Sequence, residues 1–271
     1  MTRGSDSERF RSGAEKYASY LETTEGRLRL DLAFANVQEF LPKTSQPLRT
    51  LDVGCGTGAM GVRLARLGAH VTLLDSSAQM LELAERAAKE AGVTETIALK
   101  HGDVEQLPNL FETCSFDVVL CHNILEYVYE PGAVLHSAAT LLRNPSGILS
   151  VLVRNRAGEV FKAAIREGDL SAAEQNLTAE WGNESLYGGI VRLFAAGELR
   201  AMLAEASLAL TTQRGVRVVS DYLPAKVSSS NDYTRIVELE RKLGKHPEFA
   251  AIARYTQCLA HRTGPMMKDD S

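Results

Sequence analysis

The chain has 271 residues, of which 45% are hydrophobic and 24% are charged, the proportions of an ordinary globular protein. This length suits one large α/β domain, or one domain with a small insertion. The formal net charge of −4 supplies no overall attraction for nucleic acid, although a local basic patch is compatible with it. Because no apolar run approaches the roughly 20 residues that span a bilayer, and the first residues lack a signal-peptide pattern, we expect a cytoplasmic protein without a membrane segment.

The chain begins with a helical pattern over residues 7–42, and apolar strands then alternate with amphipathic helices. The leucines of the first segment are too dense for a solvated helix, so we predict that residues 1–45 lie over a ligand cleft. The alternation predicts an α/β fold in which helices cover both faces of a parallel sheet. The predicted strands are 49–53, 70–75, 96–100, 116–121, 147–153, 208–219 and 252–261, and the predicted later helices are 58–67, 77–91, 131–143, 195–206 and 232–244.

The alternation fails between Arg154 and about Leu193, where glycines interrupt a polar stretch that holds the only tryptophan, Trp181. An insertion at this point would overhang the carboxyl ends of the strands, where open α/β sheets bind their ligands. We therefore predict a substrate cap at residues 155–193 within a domain spanning residues 46–262. A disordered tail is predicted for residues 263–271.

The four cysteines are scattered and contain no C-x-x-C pair. That spacing predicts neither a disulfide framework nor a metal centre, and small apolar packing residues are the simpler interpretation. We therefore predict no metal site. The cysteines are Cys55, Cys114, Cys121 and Cys258.

The segment LDVGCGTG at residues 51–58 joins a buried strand to a helix through alternating glycines. Glycine lets a ligand approach the backbone, and the opening helix offers unpaired N–H groups to an anion. The segment also satisfies the dinucleotide pattern G-x-G-x-x-A through Gly54, Gly56 and Ala59. Asp75, 21 positions beyond Gly54, would meet the ribose hydroxyls of NAD or of any other adenosine ligand. These residues predict a nucleotide-cofactor site, with a purely structural turn as the alternative.

Two further residues favour S-adenosylmethionine over NAD(P). Asp52 lies two positions before the first glycine and Gly58 is a third glycine, so the segment reads D-x-G-x-G-x-G, which resembles the first motif of class I methyltransferases. The resemblance implies a Rossmann-like fold with a mostly parallel seven-stranded sheet and an antiparallel strand near the end. It also implies that Asp103 accepts from the adenine amino group beside the backbone of Val104, although Asp also suits a turn.

His122 follows the fourth strand, at the position that faces the expected methyl donor. It is interpreted as a wall of the cofactor pocket, with general-base catalysis and a structural role as alternatives. Methyl transfer is an in-line displacement, and a carboxylate acceptor would need cations to orient it rather than a base. Candidates for that positioning, each of which is otherwise a surface or capping residue, are His122, Arg154, Asn155, Arg217 and Tyr222.

Longer stretches resemble the bacterial tRNA 5-carboxymethoxyuridine methyltransferases, which methylate the carboxylate of a modified wobble uridine. They are TTEGRLR at 23–29, DSSAQM at 75–80, HNILE at 122–126, GVRVVSDYL at 215–223, ELE at 238–240 and the pair Arg254-Tyr255. The resemblance implies that Arg29 reaches the methionine carboxylate of the cofactor as an ion pair. The full predicted cofactor-binding set is Arg29, Asp52, Gly54, Cys55, Gly56, Asp75, Ser76, Met80, Asp103, Val104 and His122.

Charge argues against tRNA as the acceptor. Residues 183–192 of the cap contain a single basic residue, whereas phosphate recognition uses several cations. The basic residues near helix 232–244 alternate with Glu238 and Glu240, which favours a solvated, salt-bridged face over a basic patch. The carboxylate of the modified wobble uridine of tRNA remains the leading substrate hypothesis, with a small-molecule acceptor of an O-methyltransferase as the alternative. The sequence gives no indication of the oligomeric state. Those basic residues are Arg235, Arg241, Lys242 and Lys245.

Overall fold

The structure is a computed structural model that describes residues 3–143, 146–184, 186, 188–224 and 232–263, with residues 3–12 described by their backbone alone. Apart from Thr263, the tail predicted at residues 263–271 lies outside the described residues. Within the described part of the chain, no helix combines the length and the apolar composition that crossing a membrane requires.

The strands of the described residues form a seven-stranded sheet and a separate two-stranded hairpin. In chain order they are β1 (Arg49–Val53), β2 (His70–Asp75), β3 (Ile97–His101), β4 (Val118–His122), β5 (Ile148–Arg154), β6 (Trp181–Asn183), β7 (Ile190–Arg192), β8 (Leu208–Val216) and β9 (Tyr255–Arg262). The large sheet has the order β3-β2-β1-β4-β5-β9-β8. Strands β1 to β5 pair in parallel, and β9 is antiparallel to both of its neighbours. This topology confirms the predicted fold class.

Helices cover both faces of the sheet. In chain order they are α1 (Arg3–Glu22), α2 (Thr24–Glu39), α3 (Ala59–Arg66), α4 (Ala78–Glu90), α5 (Leu107–Leu110), α6 (Pro131–Leu141), α7 (Arg156–Phe161), α8 (Leu170–Asn176), α9 (Ala196–Glu205), α10 (Tyr233–Leu243) and α11 (Pro247–Ala250). Successive residues of β4 enter different core clusters, because side chains alternate along a strand. Val119 packs in the cluster that contains Leu135 of α6, and Leu120 packs in the cluster that contains Leu32 of α2.

The helical pattern predicted over residues 7–42 is two helices that meet at Thr23. The hydroxyl of Thr23 caps α2 by accepting from the backbone N–H of Gly26, at 3.1 Å. A Cβ on Gly26 would lie 2.1 Å from the carbonyl oxygen of Tyr20, so the two helices meet this closely only with glycine at that position. The Thr23–Gly26 pair therefore sets the direction of α2, which carries Arg29 three residues later.

The chain leaves the large sheet after β5 and returns before α9, through an isolated parallel bridge between Asn155 and Phe194. The intervening residues form α7, a π-helix over Lys162–Glu167, α8 and the hairpin of β6 and β7. Asn155, a predicted positioning residue, is instead the N-cap of α7 and is only 2% exposed. Its amide donates to the carbonyl oxygens of Ala251 and Ala253, at 2.9 and 2.8 Å, so the side chain joins this insertion to the segment before β9.

One acidic residue of α10 departs from the solvated face that the sequence predicts. Glu238 is exposed, but Glu240 is fully buried. The Glu240 carboxylate accepts from the backbone N–H groups of residues 218–220, at 2.6, 3.0 and 2.7 Å. For Glu240 the predicted solvated position is wrong, because this carboxylate satisfies the backbone of the turn that follows β8.

Candidate active site

A cavity with a volume of about 510 Å³ lies at the carboxyl ends of the parallel strands. Gly54, Asp75, His122 and Arg154, at or just beyond the ends of β1, β2, β4 and β5, all line it. The N-terminal helices, the insertion between β5 and α9, and the segments around the end of β8 and the start of β9 supply further walls. Its size falls within the roughly 300–1,000 Å³ of small-molecule sites.

The glycine turn after β1 forms one wall of this cavity. Gly54, Gly56 and Gly58 have φ angles of 65°, 54° and 71°, in the left-handed region that L-residues avoid. A Cβ on Gly54 would also lie 2.7 Å from the Cδ1 atom of Ile124. The turn therefore requires glycine both for its backbone conformation and for its close packing.

Two predicted cofactor residues of this segment lie outside the large cavity. Asp52 is 3% exposed, and burial raises the pKa of its carboxyl to about 7, an effect that the N–H of Gly61 opposes. Asp52 and Cys55 line a small adjoining cavity of about 50 Å³. Burial also raises the pKa of the Cys55 thiol well above its usual value, so this thiol is not poised as a nucleophile.

Asp75 fastens the glycine turn to the start of α4. Its Oδ2 accepts from the backbone N–H of Gly56 and its Oδ1 from that of Ser77, both at 2.8 Å. Burial raises the pKa of Asp75, while these N–H donors lower it. Ser77 is the N-cap of α4, whereas its neighbour Ser76 lines the cavity together with Met80. The carboxylate thus lies on the cavity wall with each oxygen already oriented by one donor.

The turn after β3 divides its two predicted cofactor residues. Val104 lines the cavity together with Gly102. Asp103 is exposed and is not among the lining residues. Its Oδ1 accepts from the backbone N–H of Glu105 at 2.9 Å and caps a short 3₁₀ turn. The turn interpretation therefore accounts for one oxygen of Asp103.

Arg29 occupies a cage of tyrosines in the wall of the cavity. Its guanidinium carbon lies 5.6, 5.1 and 5.7 Å from the ring centres of Tyr17, Tyr20 and Tyr255. Nη1 donates to Oδ1 of Asn123 at 3.1 Å, and Nη2 donates to the hydroxyl of Tyr17 at 2.8 Å. Arg29 is 8% exposed, and among the described residues no carboxylate forms an ion pair with it. A buried cation without a counter-ion favours an anionic ligand.

Three further arginines line the cavity near Tyr255. Arg154 pairs with Glu184, Arg217 with Asp221, and Arg254 with Glu159, the last at 2.6 Å. Burial raises the pKa of the Tyr255 phenol, but the four arginines Arg29, Arg154, Arg217 and Arg254 lower it, and the net shift is downward. A buried phenol with a lowered pKa reports a positive potential at its hydroxyl.

Comparison with known proteins identifies the family. The family model for the methyltransferase domain matches residues 45–241. The chain belongs to the methyltransferase domain family. It is 28% identical over 265 residues to the tRNA 5-carboxymethoxyuridine methyltransferase of Escherichia coli strain K12, covering 94% of this chain and 96% of that protein. It is 34% identical over 172 residues to the ubiquinone biosynthesis O-methyltransferase of Maricaulis maris, covering 62% of each.

Solved structures support the fold. The 1,6-didemethyltoxoflavin-N1-methyltransferase of Burkholderia thailandensis superposes with a TM-score of 0.59 at 18% identity, over 97% of this chain and 92% of that one. The protein is a class I methyltransferase that uses S-adenosylmethionine as its cofactor, as the sequence predicts. The dinucleotide interpretation of the glycine turn is thereby excluded.

His122 of this methyltransferase lines the cavity as a neutral imidazole. Burial lowers the pKa of His122 to about 3, and the charge of Arg29 adds to this effect. Its Nε2 lies 2.8 Å from the hydroxyl oxygen of Ser150 on β5. General-base catalysis would need a pKa near neutrality, so the low pKa of His122 favours the pocket-wall interpretation.

Several residues that line the methyltransferase cavity were not predicted from the sequence. Glu126 is 3% exposed, and its Oε1 accepts from the Asn123 amide at 3.1 Å and from the N–H of Arg154 at 2.9 Å. Burial raises the pKa of this carboxyl. Tyr222, a predicted positioning residue, is not among the lining residues. The unpredicted lining residues include Tyr17, Tyr20, Glu126, Tyr127, Glu184 and Asp221.

Proposed function

We propose that this methyltransferase transfers a methyl group to a carboxylate oxygen, and that the carboxylate belongs to 5-carboxymethoxyuridine in tRNA. The lining of this part of the cavity by Arg154, Arg217 and Arg254 carries the proposal, because guanidinium groups bind and orient a carboxylate. The 28% identity to the Escherichia coli tRNA enzyme, over nearly the full length of both chains, supports the choice of carrier. Such an enzyme would act in the cytoplasm.

The remaining half of the cavity suits S-adenosylmethionine. Asp75 would accept from the ribose hydroxyls, since each of its oxygens has a lone pair beyond the one used by Gly56 or Ser77. Val104 and Asp103 would meet the adenine, and Arg29 would pair with the methionine carboxylate. When bound, the cofactor supplies a methyl group on a positively charged sulfur, already activated for displacement.

The residues of the acceptor half need only bind and orient the carboxylate. A carboxylate is ionised at neutral pH, so no residue has to remove a proton from it. The guanidinium groups of Arg154 and Arg217 are held in place by Glu184 and Asp221, and preorganised donors of this kind orient an acceptor at little entropic cost. We infer that residues 1–45 and the cap at residues 155–193 cover the cavity and exclude water.

A small-molecule acceptor is the second candidate, and the charge of the cap favours it. Residues 155–193 contain four basic and six acidic residues, an unfavourable balance for a phosphate backbone. The ubiquinone biosynthesis O-methyltransferases also match part of the chain. In this alternative the same arginines would bind an anionic group of a free metabolite.

Transfer of a labelled methyl group tests the proposal. Purified protein would be incubated with methyl-labelled S-adenosylmethionine and tRNA from a strain that lacks this enzyme. We expect label on the tRNA that mild base releases as methanol, because a methyl ester is base-labile and a methylated base is not. Mass spectrometry of the nucleosides should place the ester on 5-carboxymethoxyuridine. A parallel incubation would replace the tRNA with the small molecules of a cell extract. Label on those small molecules and none on the tRNA would favour the second candidate.

Arg29→Ala is expected to weaken S-adenosylmethionine binding about 100-fold, since a charge-assisted interaction is worth about 1.5–3 kcal/mol and its loss also disturbs the tyrosine cage. Arg29→Lys keeps the charge but lacks the fork that reaches Asn123 and Tyr17, so we expect about a tenfold loss. Titration calorimetry measures both. Arg27→Ala, an exposed position on the same helix, is the control and should bind normally; equal affinities for all three variants would remove Arg29 from the site.

A further inference from the structure

A buried chain of hydrogen bonds connects α2 to His122. Nδ2 of Asn36 donates to Oε1 of Gln257 at 2.9 Å. Nε2 of Gln257 donates to the carbonyl oxygen of Ala33 at 3.1 Å and to the hydroxyl oxygen of Ser150 at 3.0 Å. Ser150 then meets Nε2 of His122 at 2.8 Å. The chain thus starts on the helix that carries Arg29, crosses β9 and β5, and ends at the cavity.

The direction of each bond in this chain follows from the chemistry of its members. The carbonyl oxygen of Ala33 can only accept, so the amide of Gln257 must present its nitrogen there and to Ser150. Both N–H groups of that amide are then used. Ser150 accepts from Gln257, and its own hydrogen must go elsewhere.

Only one acceptor is available for the Ser150 hydrogen. Ser150 is fully buried, and its hydroxyl has no hydrogen-bond partner among the described residues other than Gln257 and His122. If Nε2 of His122 carried a proton, the Ser150 hydrogen would be buried without an acceptor, which is costly. The hydroxyl therefore donates to Nε2, and the proton of the neutral ring lies on Nδ1.

We propose that Gln257 and Ser150 hold His122 as the Nδ1–H tautomer, so that the ring offers a hydrogen-bond donor to the ligand in the cavity. Nδ1 makes no hydrogen bond within the described part of the chain, and His122 lines the cavity, so this donor remains for the ligand. The low pKa of His122 agrees with a ring that stays neutral. The oxygen that accepts this hydrogen bond belongs to the acceptor carboxylate, an assignment that rests on the proposed function. Ser150 and Gln257 are positioning residues, because they act through His122.

Nitrogen-15 NMR of the full-length protein with labelled histidine tests the tautomer. The chain has six histidines, and the His122→Gln variant identifies the resonances of His122 by their loss. We expect the Nδ1–H pattern for His122, unchanged between pH 5 and pH 9. An Nε2–H pattern, or a titration midpoint near 6.5, would overturn the proposal.

Ser150→Ala should release the tautomer, giving averaged nitrogen shifts for His122 and a kcat about tenfold lower. Thr256→Val is the matched control, since Thr256 is 2% exposed on β9 and its hydroxyl has no partner among the described residues. It should keep the wild-type pattern and kcat. An Nδ1–H pattern that persists in Ser150→Ala would show that Ser150 does not set the tautomer.

Gln257→Glu reverses the logic without changing the shape of the side chain. The new carboxyl group has at most one hydrogen, which the carbonyl oxygen of Ala33 accepts, so it takes the Ser150 hydrogen, and Ser150 then accepts from Nε2–H of His122. We expect the Nε2–H pattern in this variant, and an unchanged Nδ1–H pattern would contradict the relay. The NMR pattern of His122 tests this inference, and it does so whether or not tRNA is methylated. Failure of the proposed function would be recognised separately, because the tRNA would stay unlabelled.

Discussion

Asp75→Asn is expected to weaken S-adenosylmethionine binding about 100-fold. In the wild type one carboxylate oxygen accepts from Gly56 and the other from Ser77. An asparagine amide has a single accepting oxygen, so its NH₂ group must face one of these two N–H donors. Hydrogen bonds to a charged group are worth about 1.5–3 kcal/mol each, and losing one here together with a ribose contact gives a change of this size.

Titration calorimetry with S-adenosylmethionine measures this effect, and Asp103→Asn is the matched control at the end of the next strand. Asp103 is exposed and accepts from a single backbone group, the N–H of Glu105, so we expect a loss of tenfold or less. If Asp75→Asn bound within threefold of the wild type, the ribose role would be refuted. A lower thermal midpoint without ligand would show that Asp75 also stabilises the glycine turn.

The fold and the identity of the cofactor follow from local patterns, which is why both were predictable. The strand ending at Val53 and the acid at Asp75 are each recorded in a few adjacent residues. The left-handed φ angle of Gly54 is likewise visible in the sequence, because few other residues adopt it. Patterns of this kind depend on backbone geometry and on alternation, not on distant contacts.

Other parts of the cavity depend on contacts between residues far apart in the chain, and here prediction was weaker. The cage around Arg29 combines tyrosines from α1 and β9, separated by more than 200 positions. Asn155 carries a polar amide of the kind that binds ligands, yet this side chain caps α7. The tautomer of His122 depends on Ser150 and Gln257, and no sequence pattern connects these two residues.

Glu238 and Glu240 show the same limit within a single helix, because both are glutamates two positions apart and only Glu240 is buried. The Glu240 carboxylate accepts from the backbone of the turn at residues 218–220. This turn directly follows Arg217, whose φ of 61° is unfavourable for a residue other than glycine. The three hydrogen bonds to the Glu240 carboxylate therefore hold a strained backbone that would otherwise relax. Arg217 in turn points its guanidinium at Asp221 in the cavity wall.

Glu240→Ala should consequently lower the free energy of unfolding by about 4 kcal/mol, because it leaves one buried and two partly buried N–H groups without an acceptor. Glu238→Ala, on the exposed face, should change it by about 0.5 kcal/mol or less. Urea denaturation followed by circular dichroism measures both variants under the same conditions. Equal destabilisation by the two substitutions would show that the turn does not depend on Glu240. If the turn does depend on Glu240, the Glu240→Ala variant should also lose methyl transfer at urea concentrations below its unfolding transition. The released turn would let Arg217 move away from the place where the acceptor carboxylate would bind.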